Sequence, residues 1–131
     1  VAWTWQLVAV IVAFALWGIA SHAFGAVQDV LADRAAGISS IATARGARWT
    51  VRFALACYFA AGLVILATAW PGPLAVIAVL PYIAIVWPYR SVTDETAEKA
   101  TIGWRRFLWI NQIAGFIVTV LLISYGLLAA A

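Results

Sequence analysis

Charge is scarce in this sequence, with eight basic and five acidic side chains in 131 residues, 10% of the chain against 66% hydrophobic, and a mean hydropathy of +1.03. A soluble domain carries about a quarter charged residues, and one this small leaves a large share of its unfolded surface exposed. The shortage of charge therefore excludes an ordinary soluble fold and puts the chain in lipid. Methionine is absent and the chain begins at Val1, with neither an initiator nor a basic leader, so the expectation is a piece of a longer protein. A single cysteine, Cys57, rules out an intrachain disulfide and is expected to be a small buried apolar side chain. The one histidine, His22, is the only ionisable candidate inside an apolar run. Proton-coupled carriers usually need such a group within the membrane, so a small four-helix transporter or channel subunit is a rival reading rather than the preferred one. A purely structural membrane subunit is a third. No internal repeat or low-complexity segment is present.

What charge there is falls in two windows, Asp29 to Arg52 and Arg90 to Arg106. The uncharged stretch up to Gln28 exceeds the roughly 20 residues that a helix needs to cross a hydrocarbon core. A second uncharged stretch, Phe53 to Tyr89, is broken at Trp70-Pro71-Gly72-Pro73, where proline cannot continue a helix. The pattern predicts an all-α integral membrane chain, one domain over 1–131, with four transmembrane helices at about 3–33, 49–70, 74–89 and 105–129. The third is short and contains Pro81, which predicts a kink and some mismatch with the bilayer. Arg34, Arg45, Arg48 and Arg52 flank one loop; Arg90, Lys99, Arg105 and Arg106 flank the other. Two helices separate the loops, so both lie on one side, and their positive charge makes that side cytoplasmic in a multi-pass cell-membrane protein. Trp3, Trp5 and Trp70 mark the outer boundary, and Trp49, Trp87, Tyr89 and Trp104 the inner one. Trp17 and Trp109 lie deeper, where helix packing or a ligand cavity would use them. The basic excess has its explanation in topology, so nucleic-acid binding is not expected.

The chemistry concentrates in Gly25-Ala-Val-Gln-Asp29-Val-Leu-Ala-Asp33-Arg34-Ala-Ala-Gly37. On a continuous helix Asp29 and Asp33 share one face, a like-charge pair at the negative end of the helix dipole, and the arrangement calls for a cation. Two carboxylates suit Mg²⁺, which keeps waters and bridges carboxylates to substrate phosphates. Arg34, Arg45, Arg48 and Arg52 offer guanidinium forks for those phosphates. A solvated loop that only sets topology is the alternative from spacing alone. His22 and Asn111 would lie roughly 7 to 11 Å inside the cytoplasmic boundary at 1.5 Å per residue. Each suits a place in an acceptor cavity or a hydrogen bond between helices equally well. Asp94, Glu95, Glu98 and Lys99 on the second loop are expected to be solvated, with contact to substrate as the alternative.

The DxxxDxxxG pattern at Asp29, Asp33 and Gly37 resembles the second aspartate-rich motif of the UbiA superfamily of membrane prenyltransferases. The run Ser21 to Ile38, the segment Ser40-Ile-Ala-Thr-Ala-Arg-Gly-Ala-Arg-Trp-Thr-Val-Arg and the stretch Trp104-Arg-Arg-Phe-Leu-Trp-Ile-Asn-Gln-Ile-Ala-Gly-Phe resemble, more narrowly, the actinobacterial lycopene elongases. The resemblance implies the last four helices of a nine-helix bundle in which two aspartate motifs hold Mg²⁺ and an allylic diphosphate beside a lipid-accessible cavity. On that basis Asp29 and Asp33 are catalytic and metal-binding, Arg34, Arg45 and Arg48 bind diphosphate, and His22 and Asn111 line the acceptor cavity. The implied partners are an allylic diphosphate donor, a hydrophobic acceptor taken from the bilayer, and membrane lipid. The implied reaction is prenyl transfer to lycopene in C50 carotenoid synthesis, or to another acceptor such as a quinone precursor. No first motif of the N-D-x-x-D kind occurs, so this chain carries half a site and is expected to be inactive alone.

Overall fold

The computed structural model describes residues 4–70 and 72–130, with side chains through Phe116 and that of Val120. Trp3 and Pro71 lie outside the described residues. All regular structure among them is helical: α1 Trp5–Gly25, α2 Val30–Ala35, α3 Ile41–Arg45, α4 Ala47–Leu66, α5 Leu80–Val86 and α6 Ala100–Ala130, with 3₁₀ segments at Gly72–Ala78, Trp87–Tyr89 and Asp94–Lys99. Among the described residues, three stretches are long and apolar enough to cross a membrane: Trp5–Gly25, Ala47–Leu66 and Gly72–Tyr89. The fourth span expected at 105–129 falls within α6.

α1 starts where the Thr4 hydroxyl accepts from the Leu7 amide at 3.2 Å, a side-chain cap for an otherwise orphaned donor. It then runs antiparallel to α4, their contact being the most extensive in the molecule. Small side chains allow the approach, as they do between helices in lipid generally: Ala9, Ala13 and Ala20 on α1, Ala54 and Ala61 on α4, all buried. One polar pair crosses this interface. The Ser21 hydroxyl donates to the Trp17 carbonyl at 2.7 Å and lies 3.0 Å from the Tyr58 hydroxyl, so neither oxygen is left unpaired.

Besides α4, which ends at Leu66 and not near 70, two boundaries differ from the sequence expectation. The first helix does not run through to 33. It tightens after Gly25 into bonds such as Val27 N to Phe24 O and Val30 N to Val27 O before α2 begins. Gly25, just before the break, is packed against the Trp104 ring so closely that a Cβ would lie 2.9 Å from it. The second difference is at α6, which begins at Ala100 rather than near 105, because the Thr93–Thr96 capping box starts a 3₁₀ turn that feeds directly into it.

Candidate functional site

Three cavities among the described residues bear on the site. The first, of about 340 Å³, is lined by Gln28, Asp29, Leu31 and Ala32 from the α1–α2 turn and by Asp94, Glu95, Glu98 and Thr101 from the second charged loop. The second, of about 450 Å³, is lined by Arg45, Gly46, Arg48, Trp49 and Arg52 with Thr93, Asp94 and Glu95. The third, also about 450 Å³, lies among the membrane helices and is almost wholly apolar, with Phe14, Trp17, Ala61, Val79, Tyr82 and Asn111 on its walls.

Asp29 occupies the residue before α2, with φ −100° and ψ 4°, and its carboxylate makes no capping bond. The Asp33 amide donates to the Asp29 carbonyl at 2.8 Å, which keeps the two aspartates one helical turn apart despite the break behind them. Because the helix restarts here, the pair sits at the beginning of short α2 and not at the negative end of a long helix, so the dipole penalty expected from sequence does not arise. Neither carboxylate has a cationic or hydrogen-bonding partner among the described residues. Asp29 is exposed on the first cavity; Asp33 is half-buried and is not on that cavity's wall.

Arg34, next to Asp33, turns elsewhere. Its guanidinium forms the only ion pair among the described residues, to Asp94 Oδ2 at 2.5 Å, and donates from Nε and Nη2 to the Thr43 carbonyl at 3.2 and 3.0 Å. The other oxygen of Asp94 accepts from the Ala47 amide at 2.7 Å, at the first residue of α4. The Ala47 amide and the Arg34 guanidinium together hold the Asp94 carboxyl below the ordinary aspartate range. Glu95 is likewise held below its ordinary value, first by the Thr93 side chain. Asp94 is thus no solvated loop residue: one side chain ties the second loop to α2 and to the start of α4. Gly46 makes room for it, with φ at +83° and a Cβ position only 3.3 Å from Asp94 Oδ1.

The structure does not gather the sequence candidates into one place. Arg45 and Arg48 line the second cavity, on the other side of the Asp94–Glu95 wall from Asp29. His22 is exposed and lines none of the three cavities, while its neighbours Ser21 and Ala23 are buried. Asn111 does line the apolar cavity and accepts from the Tyr82 hydroxyl at 2.8 Å. Trp17 sits in the same wall, its ring edge-on to Tyr82 at 5.8 Å, whereas Trp109 is 73% exposed and faces away from the packed core. Tyr82 was not singled out in the sequence, although a tyrosine in the middle of an apolar span is the signal that marks it.

As a donor set, two unpartnered carboxylates a turn apart fit Mg²⁺, which needs only one or two protein carboxylates when waters and phosphate oxygens complete its shell. Among the described residues no group of three or more His, Cys, Asp or Glu side chains converges to hold a metal by itself.

Comparison with known proteins adds the following. No protein-family model matches the chain, and no solved structure matches it. Over 112 residues it is 57% identical to the C(50) beta-cyclic carotenoids biosynthesis protein LbtBC of Dietzia sp., covering 85% of this chain and 26% of that protein. Over 111 residues it is 41% identical to the lycopene elongase/hydratase of Corynebacterium glutamicum, covering 85% of this chain and 39% of that one. The chain therefore spans between about a quarter and two-fifths of the length of these curated relatives, and it is similar to proteins named for carotenoid biosynthesis and lycopene elongation.

Proposed function

We propose that the chain is the C-terminal part of a UbiA-type membrane prenyltransferase that extends lycopene with a prenyl group from an allylic diphosphate, in C50 carotenoid synthesis. The observation that carries the reading is the Asp29–Asp33 pair, held a turn apart at the start of the short helix that follows the first membrane span and left without a counter-ion among the described residues although Arg34 is adjacent. The names of the relatives supply the acceptor. In this reading α6 provides a fourth span, the four correspond to the last four of a nine-helix bundle, and both charged loops face the cytoplasm of a multi-pass cell-membrane protein.

Asp29 and Asp33 would hold Mg²⁺, whose part is to neutralise charge on the diphosphate. The reaction breaks the allylic C–O bond and forms a C–C bond to a terminal alkene carbon of lycopene; loss of a proton or addition of water ends it. This chain's own contribution to the acceptor side is the apolar cavity, where the Tyr82 hydroxyl donates to the Asn111 side-chain oxygen and the walls are otherwise almost wholly apolar, a surface suited to a polyene. Arg34 contributes through Asp94 and Thr43, and not as a free donor to phosphate.

The test uses the full-length parent protein in membranes with Mg²⁺, labelled dimethylallyl diphosphate and lycopene. Wild type makes labelled carotenoid, and Asp29→Ala and Asp33→Ala do not. Label transferred to a quinone precursor in place of lycopene would replace the acceptor; activity retained in both variants would end the reading.

A further inference from the structure

The second cavity calls for a ligand of its own. Arg48 and Arg52 stand one helical turn apart at the charged end of α4, and Arg45, the last residue of α3, lines the same cavity from across the Gly46 turn. Their bonds within the protein leave most of their donors available: Arg45 lies over the Trp49 ring at 5.5 Å, Arg52 Nε donates to the Arg90 carbonyl at 3.3 Å, and Arg48 has no partner among the described residues. The acids on the opposite wall do not balance them. Asp94 is already neutralised by Arg34, which leaves Glu95 against three guanidinium groups. The cavity therefore selects an anion. The preference for positive charge on the cytoplasmic side explains the sign of these residues, but not their convergence on one cavity.

The same helix face says where the anion comes from. Continuing at spacings of three and four residues past Arg52 come Ala56, Phe59, Leu63 and Leu66, all exposed, with Phe59 at 47% and Leu63 at 68%. One face of α4 thus reads as two arginines, joined by Arg45 from the end of α3, and then an uninterrupted apolar stripe, with the stacked Trp49 and Phe53 rings, 5.1 Å apart, at the junction. A soluble phosphate would use the arginines and have no use for the stripe; a phospholipid uses both. We propose that this face of α4 is a binding site for an anionic phospholipid of the phosphatidylglycerol kind. Its phosphate sits among Arg45, Arg48 and Arg52, its headgroup hydroxyls reach Glu95, and one acyl chain lies along Phe59 and Leu63. The site is separate from the aspartate pair, since Asp94 and Glu95 stand between them, and it holds whatever reaction the protein performs.

The test is native mass spectrometry of the purified full-length protein in detergent, titrated with phosphatidylglycerol. Arg45→Gln/Arg48→Gln removes two charges from the site and spares the Arg52 bond to the backbone. Arg105→Gln/Arg106→Gln removes two charges from exposed positions in the other charged window. At the usual worth of a basic side chain against an anionic lipid, about five-fold each, the first pair should weaken binding on the order of 30-fold and the second by less than about three-fold. Leu63→Glu, which keeps every arginine, should also weaken it. Equal losses in the two double variants, equal affinity for phosphatidylcholine, or displacement of the lipid by inorganic diphosphate would each overturn the proposal. Arg48→Gln alone breaks no contact within the protein and serves as the check that loss of binding is not loss of fold.

Discussion

Replacing Asp94 with alanine removes two contacts at once, the 2.7 Å bond from the Ala47 amide and the ion pair with Arg34. The first resembles a helix N-cap, worth about 1 kcal/mol and up to about 2 when lost. The second joins side chains that are 41% and 24% exposed, so solvent screening holds it to about 1 kcal/mol or less. Together the change costs about 2 kcal/mol, and since it acts on loop docking and not on the membrane helices, it should raise the population of the opened loops roughly 30-fold. Limited trypsin digestion of the full-length protein in membranes reads this directly, because cleavage tracks the open population when opening and closing are fast. Cuts at Arg34, Arg45, Arg48 and Lys99 should accelerate by about that factor. Asp94→Asn retains an acceptor for the Ala47 amide and loses only the charge, so its acceleration should be several-fold. Digestion of Asp94→Ala at the wild-type rate would refute the claim that this side chain joins the two loops.

The same carboxylate gives a pH prediction. Its pKa is lowered by folding, so its contribution is present above the ordinary aspartate value of about 3.9 and fades as pH falls through the lower folded value; the gap in melting temperature between wild type and Asp94→Asn should be constant from about pH 8 to 5 and close towards pH 3. Gly46→Ala places a Cβ on a residue at φ +83° and 3.3 Å from Asp94 Oδ1, which should cost about 1 to 2 kcal/mol and show the trypsin pattern of Asp94→Ala. Gly25→Ala sets a Cβ 2.9 Å from Trp104, whose ring is stacked on Phe107 at 4.8 Å; a melting temperature lowered by several degrees is the expected outcome in detergent. Asn111→Leu leaves the Tyr82 hydroxyl without its acceptor in an apolar wall, at a cost of about 1 to 3 kcal/mol, and adding Tyr82→Phe should recover most of the lost thermal stability.

The membrane character, the all-helical class and the division of the chain by its two charged windows were legible because they rest on local quantities: hydropathy, charge sign and the proline cluster at 71–73. The partners of the charges were not. Arg34 and Asp94 stand 60 residues apart in sequence, and nothing in either neighbourhood names the other. The aspartate pair was visible as spacing, yet the break before it was not, because no proline or side-chain cap after Gly25 marks the tightened bonds that follow. Arg45 and Arg48 were grouped with the aspartates by proximity in sequence, whereas the loop carrying Asp94 and Glu95 divides the surface between them. The early start of α6 did have a local signal, the two threonines at 93 and 96, of a kind less conspicuous than a serine followed by glutamate.

The proline-bearing span Gly72–Tyr89 has only 18 residues, which as pure α-helix would reach about 27 Å at 1.5 Å per residue. Ten of those residues lie in 3₁₀ segments, seven at the start and three at the end. The steeper rise of about 2 Å per residue in such turns brings the total to about 32 Å, close to the roughly 30 Å of a typical hydrocarbon core. The span is therefore stretched like a loosened spring to the thickness its residue count would miss. Rewinding one of these 3₁₀ residues as α-helix would shorten the span by about 0.5 Å, so of the helices described this is the one whose length a change of winding could fit to a thinner bilayer.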